Sequence, residues 1–196
     1  MNMKAWRHYL RARLLLLWRR PDAAIAAYRV AIATDPGHAR AAHGLAYLLA
    51  ERERYPEAEV ALRLCLMAAP EHASAWFNLG YLCDQQQKTA KAIAAFGEAV
   101  RLEPKHARAW YGLGHCHASQ RDDAAAVPAF EHVILINPMS WPAWVALGMS
   151  YHRLRQADKV HDVAAHLNRY QRHLARQLIH DTGRTDLAHM VADLQN

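Results

Sequence analysis

The feature that most constrains the fold is a proline that recurs every 34 residues. Pro36, Pro70, Pro104 and Pro138 keep this spacing, and the first three each open a Pro-x-His-Ala phrase. In a chain with only eight prolines, a period held through four copies indicates tandem structural units of one length. Since proline cannot continue a helix and biases the preceding residue away from helical geometry, each of these prolines is expected to close a unit.

Superposing the units gives columns of matching residues. The first half of the unit aligns a tryptophan, a leucine and a small residue: Trp76, Trp110 and Trp144, with Ala42 in their place in one unit; Leu45, Leu79, Leu113 and Leu147; Ala46, Gly80, Gly114 and Gly148. The second half aligns an alanine and a larger apolar residue: Ala24, Ala58, Ala92 and Ala126; Tyr28, Leu62, Phe96 and Phe130. Apolar spacings of i, i+3, i+4 and i+7 predict two amphipathic helices in each unit.

This pattern resembles the tetratricopeptide repeat, a helix-turn-helix unit of the same length. The resemblance implies an all-α fold, a right-handed α-solenoid of antiparallel helix pairs wound into a superhelix. We expect a single domain with repeats at 5–38, 39–72, 73–106, 107–140 and 141–178, followed by a capping helix at 184–195. The terminal repeats diverge, as solenoid ends do where they meet water. The register of the first helix stays open, because His8 and Arg11 stand where tryptophan and leucine are expected.

The net charge of +6 belongs to one end of the chain. Residues 1–20 contain six lysine or arginine residues and no acid, so the remaining residues balance to zero. A nucleic-acid-binding protein usually spreads basic residues along its working face, and we therefore expect no nucleic-acid partner. The apolar run 14–18 is far shorter than the roughly 20 residues that span a bilayer, so no transmembrane segment is expected. Three environments stay open for the basic helix: water, an acidic partner or a membrane surface.

In arrays that resemble this one, the first helices line a concave groove, which is the expected partner-binding site. The residues predicted to face it are Arg40, His43, Tyr47, Phe77, Asn78, Tyr81, Arg108, Tyr111 and His115. Asn78 and Arg108 are the candidate anchors, because an amide pairs with a peptide backbone and a guanidinium suits a carboxylate. Related domains that clamp a C-terminal carboxylate use a larger Lys, Asn and Arg set, which is incomplete here. The aromatic groove instead favours an apolar or helical ligand.

The leading hypothesis is a protein-interaction adaptor or scaffold that binds a peptide or helix of a partner protein. One alternative is a self-assembling, homo-oligomeric module that associates through an apolar side of its N-terminal helix: Leu10, Leu14, Leu17 and Trp18. Another is an accessory subunit of an enzyme complex. No glycine-rich phosphate loop, nucleophile elbow or convergent acid pair stands in the sequence, so we expect no enzyme activity.

Histidine and cysteine invite a metal hypothesis. In the His-Cys-His run, His115 and His117 lie two residues apart on a helix, point in different directions and cannot share one ion. The three cysteines fall inside helical patterns and predict buried thiols in a reducing compartment. We therefore expect no metal, no other cofactor and a cytoplasmic location. The alanine- and arginine-rich composition is typical of a bacterial protein.

Overall fold

A computed structural model of the chain describes residues 2–192. Within that range it consists of eleven α-helices and one 3₁₀ helix, with no β-strand. Successive helices pack as antiparallel pairs in tandem, which confirms the predicted all-α solenoid class. The pairs fall into two compact units, one ending at Pro104 and the other beginning at Lys105.

The first unit contains three helix pairs. Its helices are α1 (Met3–Leu17), α2 (Pro21–Thr34), α3 (Ala39–Ala50), α4 (Tyr55–Ala68), α5 (Ala73–Gln85) and α6 (Thr89–Leu102). The second unit contains two pairs and a C-terminal extension. Its helices are α7 (Ala107–Ser119), α8 (Asp123–Ile136), α9 (Trp141–Arg153), α10 (Ala157–Tyr170) and α11 (Arg172–Asp181), followed by a 3₁₀ helix (Thr185–Met190).

The turn inside each pair is built in the same way throughout. A residue with positive φ recurs every 34 residues, and none of the five is a glycine: Arg19, Glu53, Gln87, Arg121 and Arg155. In the third repeat, the Gln87 N–H donates to the Asp84 carbonyl and the Lys88 N–H to the Cys83 carbonyl, both at 2.8 Å. This is the Schellman pattern, which satisfies carbonyls that the helix end leaves open.

The turn residue and the ring contacts of α1 assign its repeat register, which the sequence left open. Arg19 stands one period before Glu53, so α1 is the first helix of a full repeat. The same ring pair also recurs between first and second helices, with centroid distances of 6.0, 5.9 and 5.8 Å for Tyr9–Tyr28, Phe77–Phe96 and Tyr111–Phe130. The helix therefore keeps the 34-residue register although two packing positions hold His8 and Arg11.

The recurring Pro-x-His-Ala phrase is explained by helix capping. The Nδ1 atoms of His38, His72 and His106 accept the backbone N–H three residues ahead at 3.3, 3.3 and 3.2 Å. Because the backbone N–H is the donor, Nδ1 carries no proton while it accepts this bond, and Nε2 is then the ring nitrogen that carries the N–H. The sequence showed the repeated histidine, and the structure supplies its role as the N-cap of a first helix.

The small residue of the first helix permits close packing, with one difference at the last repeat. A Cβ on Gly80 would lie 2.6 Å from Cδ1 of Phe96 in the paired helix, as the column predicts. A Cβ on Gly148 would meet Leu178 of α11 at 2.7 Å, closer than Val163 of the paired α10 at 3.1 Å. In the last repeat the glycine mainly makes room for the C-terminal extension.

The C-terminal region differs from the continuous helical pattern that the sequence predicts over 158–178. Gln171 has φ −144° and ψ 66°, which ends α10 and lets α11 fold back. Leu178 and Leu187 are then buried in one core with the helices of the last repeat. The predicted capping helix over 184–195 is observed as the short 3₁₀ helix, and residues 193–195 lie outside the described range.

The three cysteines are buried, as their positions inside helical patterns predict. Cys65, Cys83 and Cys116 are buried and form no disulfide. Burial raises the pKa of the Cys65 thiol to about 11. Within residues 2–192, no helix combines the length and the hydropathy that crossing a bilayer requires.

Candidate functional site

The first helices of the first unit bring together most of the predicted groove residues. We call this surface the first-helix face and define it by residues of α1, α3 and α5: Trp6, Arg40, His43, Tyr47, Ser74, Phe77, Asn78 and Tyr81. Helices α3 and α5 are in direct contact, so their side chains form one surface. Helix α3 packs against α4 and helix α5 packs against α6, and these paired helices support the face.

A polar network lies at the centre of this face. The Asn78 side-chain amide lies 3.0 Å from Nε2 of His43, and the His43 and His72 rings lie 4.8 Å apart. With Asn78 donating, His43 accepts at Nε2 and carries its proton on Nδ1. Burial, and then the neighbouring His72, lower the pKa of His43. His43 is therefore a neutral hydrogen-bonding group at neutral pH, not a cation.

Aromatic side chains also belong to the face, and Tyr47 and Tyr81 stand about one helical turn beyond His43 and Asn78. Tyr47 and Tyr81 are 56% and 47% exposed, which is high for large rings on a helix surface. A hydrogen bond to Glu51 raises the pKa of Tyr47, so its hydroxyl stays protonated. Arg40 holds its guanidinium 5.8 Å from the centroid of the Trp6 ring, within the range of a cation–π contact. The face thus combines flat apolar area, amide and imidazole groups and one positive charge.

The remaining predicted groove residues belong to the second unit. Arg108, Tyr111 and His115 all lie on α7, and Tyr111 packs against Phe130 with ring centroids 5.8 Å apart. Arg108 and His115 are exposed. Among the predicted groove residues, His43 and Asn78 are in direct contact.

The residues predicted for self-association lie exposed along α1. Leu10, Leu14, Leu17 and Trp18 are 45%, 51%, 77% and 69% exposed. Met3, which the sequence reasoning missed, is also exposed at 64% and extends the same side of the helix by two turns. We call these five residues the α1 stripe.

Sequence reasoning also missed two ion pairs in which the acidic side chain is buried. The Asp123 carboxylate, with its side chain 5% exposed, receives a two-pronged contact from Arg153 at 2.6–2.9 Å. Glu59 is equally buried and pairs with Lys88 at 2.9 Å. Hydrogen bonding to Arg153 lowers the pKa of Asp123. Burial on its own acts to raise the pKa of Glu59. The hydrogen bond from Lys88 and the positive charges of Arg63 and Lys88 have the larger combined effect, and the pKa of Glu59 is lowered. Neither pair follows the 34-residue columns, so the repeat pattern could not reveal them.

A further missed feature is a groove between consecutive second helices. In the first unit it lies between α2 and α4, has a volume of about 530 Å³ and is lined mainly by apolar side chains such as Ile32, Leu45 and Val60. The second unit has a groove of about 500 Å³ at the equivalent place, and Trp144 lines it. The signal in the sequence was the recurrence of the wall residues, such as Leu45 and Leu147, three repeat lengths apart.

The histidine-rich run on α7 shows no metal geometry. Nδ1 of His117 lies 3.2 Å from the Asp122 carboxylate, whereas the neighbouring His115 is exposed. Over residues 2–192, no three histidine, cysteine or acidic side chains come together in a way that could hold a metal ion.

Comparison with known proteins agrees with this fold. Two family profiles, both described as tetratricopeptide repeat, match residues 8–81 and 84–138. The crystal structure of MamA protein is similar with a TM-score of 0.78 and 20% identity, over 95% of this chain and 98% of that one. YrrB, described as a TPR protein with an unusual peptide-binding site, gives a TM-score of 0.72 and 23% identity, over 87% and 89%.

A third similar structure contains a bound ligand. The first TPR of Spaghetti (RPAP3), bound to the HSP90 peptide SRMEEVD, gives a TM-score of 0.58 and 18% identity, over 62% of this chain and 96% of that one. No curated protein matches the sequence. Identities this low show the shared fold alone.

Proposed function

Because the chain belongs to the tetratricopeptide repeat family, we propose that it is an interaction adaptor that binds a segment of a partner protein on the first-helix face. The observation that carries the proposal is the network of His43, Asn78 and His72 on the same helices as two exposed tyrosines. Two proteins of the same fold, YrrB and the first TPR of Spaghetti, are described with peptides or a peptide-binding site, which supports this type of function.

The chemistry of the face indicates the type of segment. His43 and His72 both carry a ring N–H, on Nδ1 and Nε2 respectively, which suits carbonyl or carboxylate oxygens of an extended chain. Arg40 adds a positive charge at one side. Tyr47 and Tyr81 offer flat area at a low cost in side-chain entropy. A segment with apolar side chains and one acidic residue therefore fits best.

A displayed library of random peptides tests the proposal. We expect wild-type protein to enrich peptides that combine apolar residues with an acid, and the His43→Ala, Asn78→Ala double variant to bind a synthetic enriched peptide about tenfold more weakly or worse. The matched control is Arg101→Ala, which removes an exposed side chain of α6 that pairs with Glu98. Equal affinity of the double variant and wild type, with circular dichroism showing both folded, would contradict binding at this face.

A second candidate function is homo-oligomerisation through α1. The observation that favours it is the α1 stripe, since a soluble protein rarely leaves a contiguous row of large apolar side chains in water without a partner. The cations of residues 1–20 would surround such a contact. An accessory role in an enzyme complex would use the same surfaces as an adaptor. The lack of a nucleic-acid partner, a cytoplasmic location and a bacterial source stay predictions.

A further inference from the structure

The α1 stripe lies on the side of its helix that faces away from α2. Successive residues of an α-helix are rotated by about 100°, so Ala5 lies almost opposite Met3 and Ala12 almost opposite Leu10. Both alanines are fully buried, and α1 packs against α2. The stripe is therefore an outward ridge on a helix that packing already fixes, and it runs for about 20 Å from Met3 to Leu17.

Cations stand on both sides of this ridge. By the same rotation, Arg7 and Arg11 lie on one side of Leu10 and Arg13 lies on the other. All six cations of residues 1–20 are exposed: Lys4, Arg7, Arg11, Arg13, Arg19 and Arg20. An apolar row with basic residues along its flanks is typical of helices that lie in the interface of a membrane.

The positive charge of α1 is not neutralised by the rest of the described chain. None of the six cations forms an ion pair with an acidic side chain of residues 2–192. The first acid in the sequence, Asp22, pairs with Arg52 at 2.9 Å, and residues 23–34 of the neighbouring α2 contain no further acid. The charge around the ridge is therefore available to a negatively charged partner.

Charge and shape together distinguish the possible partners. A second copy of the chain would bring its own cations beside those of the first, and like charges at a contact oppose binding. A nucleic acid would neutralise the cations but leave the leucine side chains in water. An acidic protein would need a groove shaped to the ridge, with acids along both rims. An anionic lipid surface offers negative headgroups above an apolar interior, and because it is fluid it needs no matching shape.

The end of α1 has the residue types that membrane interfaces favour. Trp18 is the exposed member of the six tryptophans, all of which lie within the described residues, and the other five are half-buried. An indole, with its apolar ring and its N–H, is favoured at the level of the lipid headgroups. Arg19 and Arg20 follow directly, and their long side chains can contact apolar surface while the charges stay at the headgroups.

We propose that α1 binds the surface of a membrane rich in anionic lipids. The helix lies parallel to the surface, with Leu10, Leu14 and Leu17 inserted among the lipids and the flanking cations at the headgroups. This inference goes beyond the adaptor function, which rests on the His43 and Asn78 network. It competes with self-association, which would use the same stripe.

Flotation of the full chain with lipid vesicles tests the inference. We expect wild type to float with vesicles of equimolar phosphatidylglycerol and phosphatidylcholine, and to bind vesicles of phosphatidylcholine alone about tenfold more weakly or worse. Binding to the anionic vesicles should also weaken as the salt concentration is raised from about 0.1 M to about 1 M, because the screening length falls from about 10 Å to about 3 Å.

One pair of variants tests the ridge. Leu10→Gln, Leu14→Gln replaces two exposed leucines by a residue that also favours helix, so circular dichroism should show it folded. We expect it to bind the anionic vesicles about tenfold more weakly or worse, since the apolar insertion is lost. Met67→Gln, Leu135→Gln is the matched control, because it makes the same change at side chains that are 81% and 79% exposed on other helices. Equal binding by the ridge variant and wild type would overturn the insertion.

A second pair of variants tests the charge. Arg7→Gln, Arg11→Gln should weaken binding to the anionic vesicles about tenfold, whereas Arg7→Lys, Arg11→Lys keeps both charges and should bind as wild type does. Tryptophan emission supplies an independent measurement. Anionic vesicles should shift the emission of wild type to shorter wavelength and leave that of Trp18→Phe nearly unchanged, although both proteins float. Flotation of wild type without this shift would show adsorption alone and overturn the insertion.

The other occupants give different results in the same system. A wild type that does not float with anionic vesicles overturns the inference. If its mass rises with concentration in sedimentation equilibrium, and the Leu10→Gln, Leu14→Gln variant abolishes the rise, a second copy occupies the stripe and self-association stands. Binding to poly-glutamate as tight as to vesicles, with the same loss in the ridge variant, would assign the stripe to an acidic protein. The His43→Ala, Asn78→Ala variant should float as wild type does, so the adaptor function is tested separately.

Discussion

At the scale of single residues, four histidines of this chain serve as hydrogen-bond acceptors. His38, His72 and His106 cap helices through Nδ1, and His43 accepts from Asn78. The sequence revealed that these histidines recur, because they share a phrase with the closing proline. It could not reveal the caps, since histidine is not among the favoured N-cap residues. The buried pair of Asp123 and Arg153 was also beyond prediction, because its partners are 30 residues apart and outside the columns.

Removing one member of this buried pair should be costly. We expect Arg153→Ala to lower the free energy of unfolding by about 3–5 kcal/mol, since the Asp123 carboxylate would stay buried without its counter-charge. Urea unfolding followed by circular dichroism measures the change. The double variant Asp123→Ala, Arg153→Ala is the control and should lose less, because it leaves no buried charge behind.

The same pair predicts an acid dependence. The pKa of Asp123 is lowered in the folded state, so its contribution is present above the unfolded pKa and is lost as the pH falls below about 4. The stability difference between wild type and the double variant should therefore shrink on acidification through this range. A difference that grows as the pH falls would contradict the assignment.

At the scale of helices and turns, the 34-residue period determined most of what could be predicted. Closing prolines and apolar spacing located the helix pairs, because both act locally on the backbone. Two features had no local signal. Glutamine and arginine have no preference for positive φ, so the left-handed turn residues were invisible. The break at Gln171 was also missed, because the apolar pattern continues across it and the burial of Leu178 against the last repeat decides the fold there.

The turn residues predict a stabilising substitution. Gln87 is exposed and has φ 58°, a conformation that costs a side chain about 1 kcal/mol or more and costs glycine little. We expect Gln87→Gly to raise the melting temperature by about 2–4 °C for a chain of this size. Gln87→Ala is the matched control and should give no increase, since alanine keeps the Cβ. A melting temperature lower for glycine than for alanine would show that this turn is not strained.

At the scale of the whole molecule, the fold was predictable and the partner was not. Packing columns repeat, and they alone define the solenoid class. The first-helix face is built from positions that change between repeats, such as His43, Phe77 and Tyr111 in one column. The binding proposed for this face depends on those differences, for which the repeat pattern carries no information.

The reactivity of the buried thiols measures the unfolding of each unit. Cys65 and Cys83 lie in the first unit and Cys116 in the second, and burial raises the pKa of both Cys65 and Cys83. We expect Ellman's reagent to react with them only as the protein unfolds, because the thiolate is the reactive form. Single-cysteine variants keeping Cys65 or Cys116 would measure each unit separately in a urea series. Immediate stoichiometric reaction of the native protein would contradict the burial of these side chains.

The histidine caps have a consequence for how such a chain changes length during evolution. His38 and His72 begin their helices by the same local contact, and an alanine follows each of them. An in-frame duplication of residues 39–72 would therefore recreate a His-Ala junction at both ends of the inserted copy. The new unit would meet neighbours whose packing columns it already matches. A gene of this kind can gain one repeat in a single recombination event, without a new junction having to be selected.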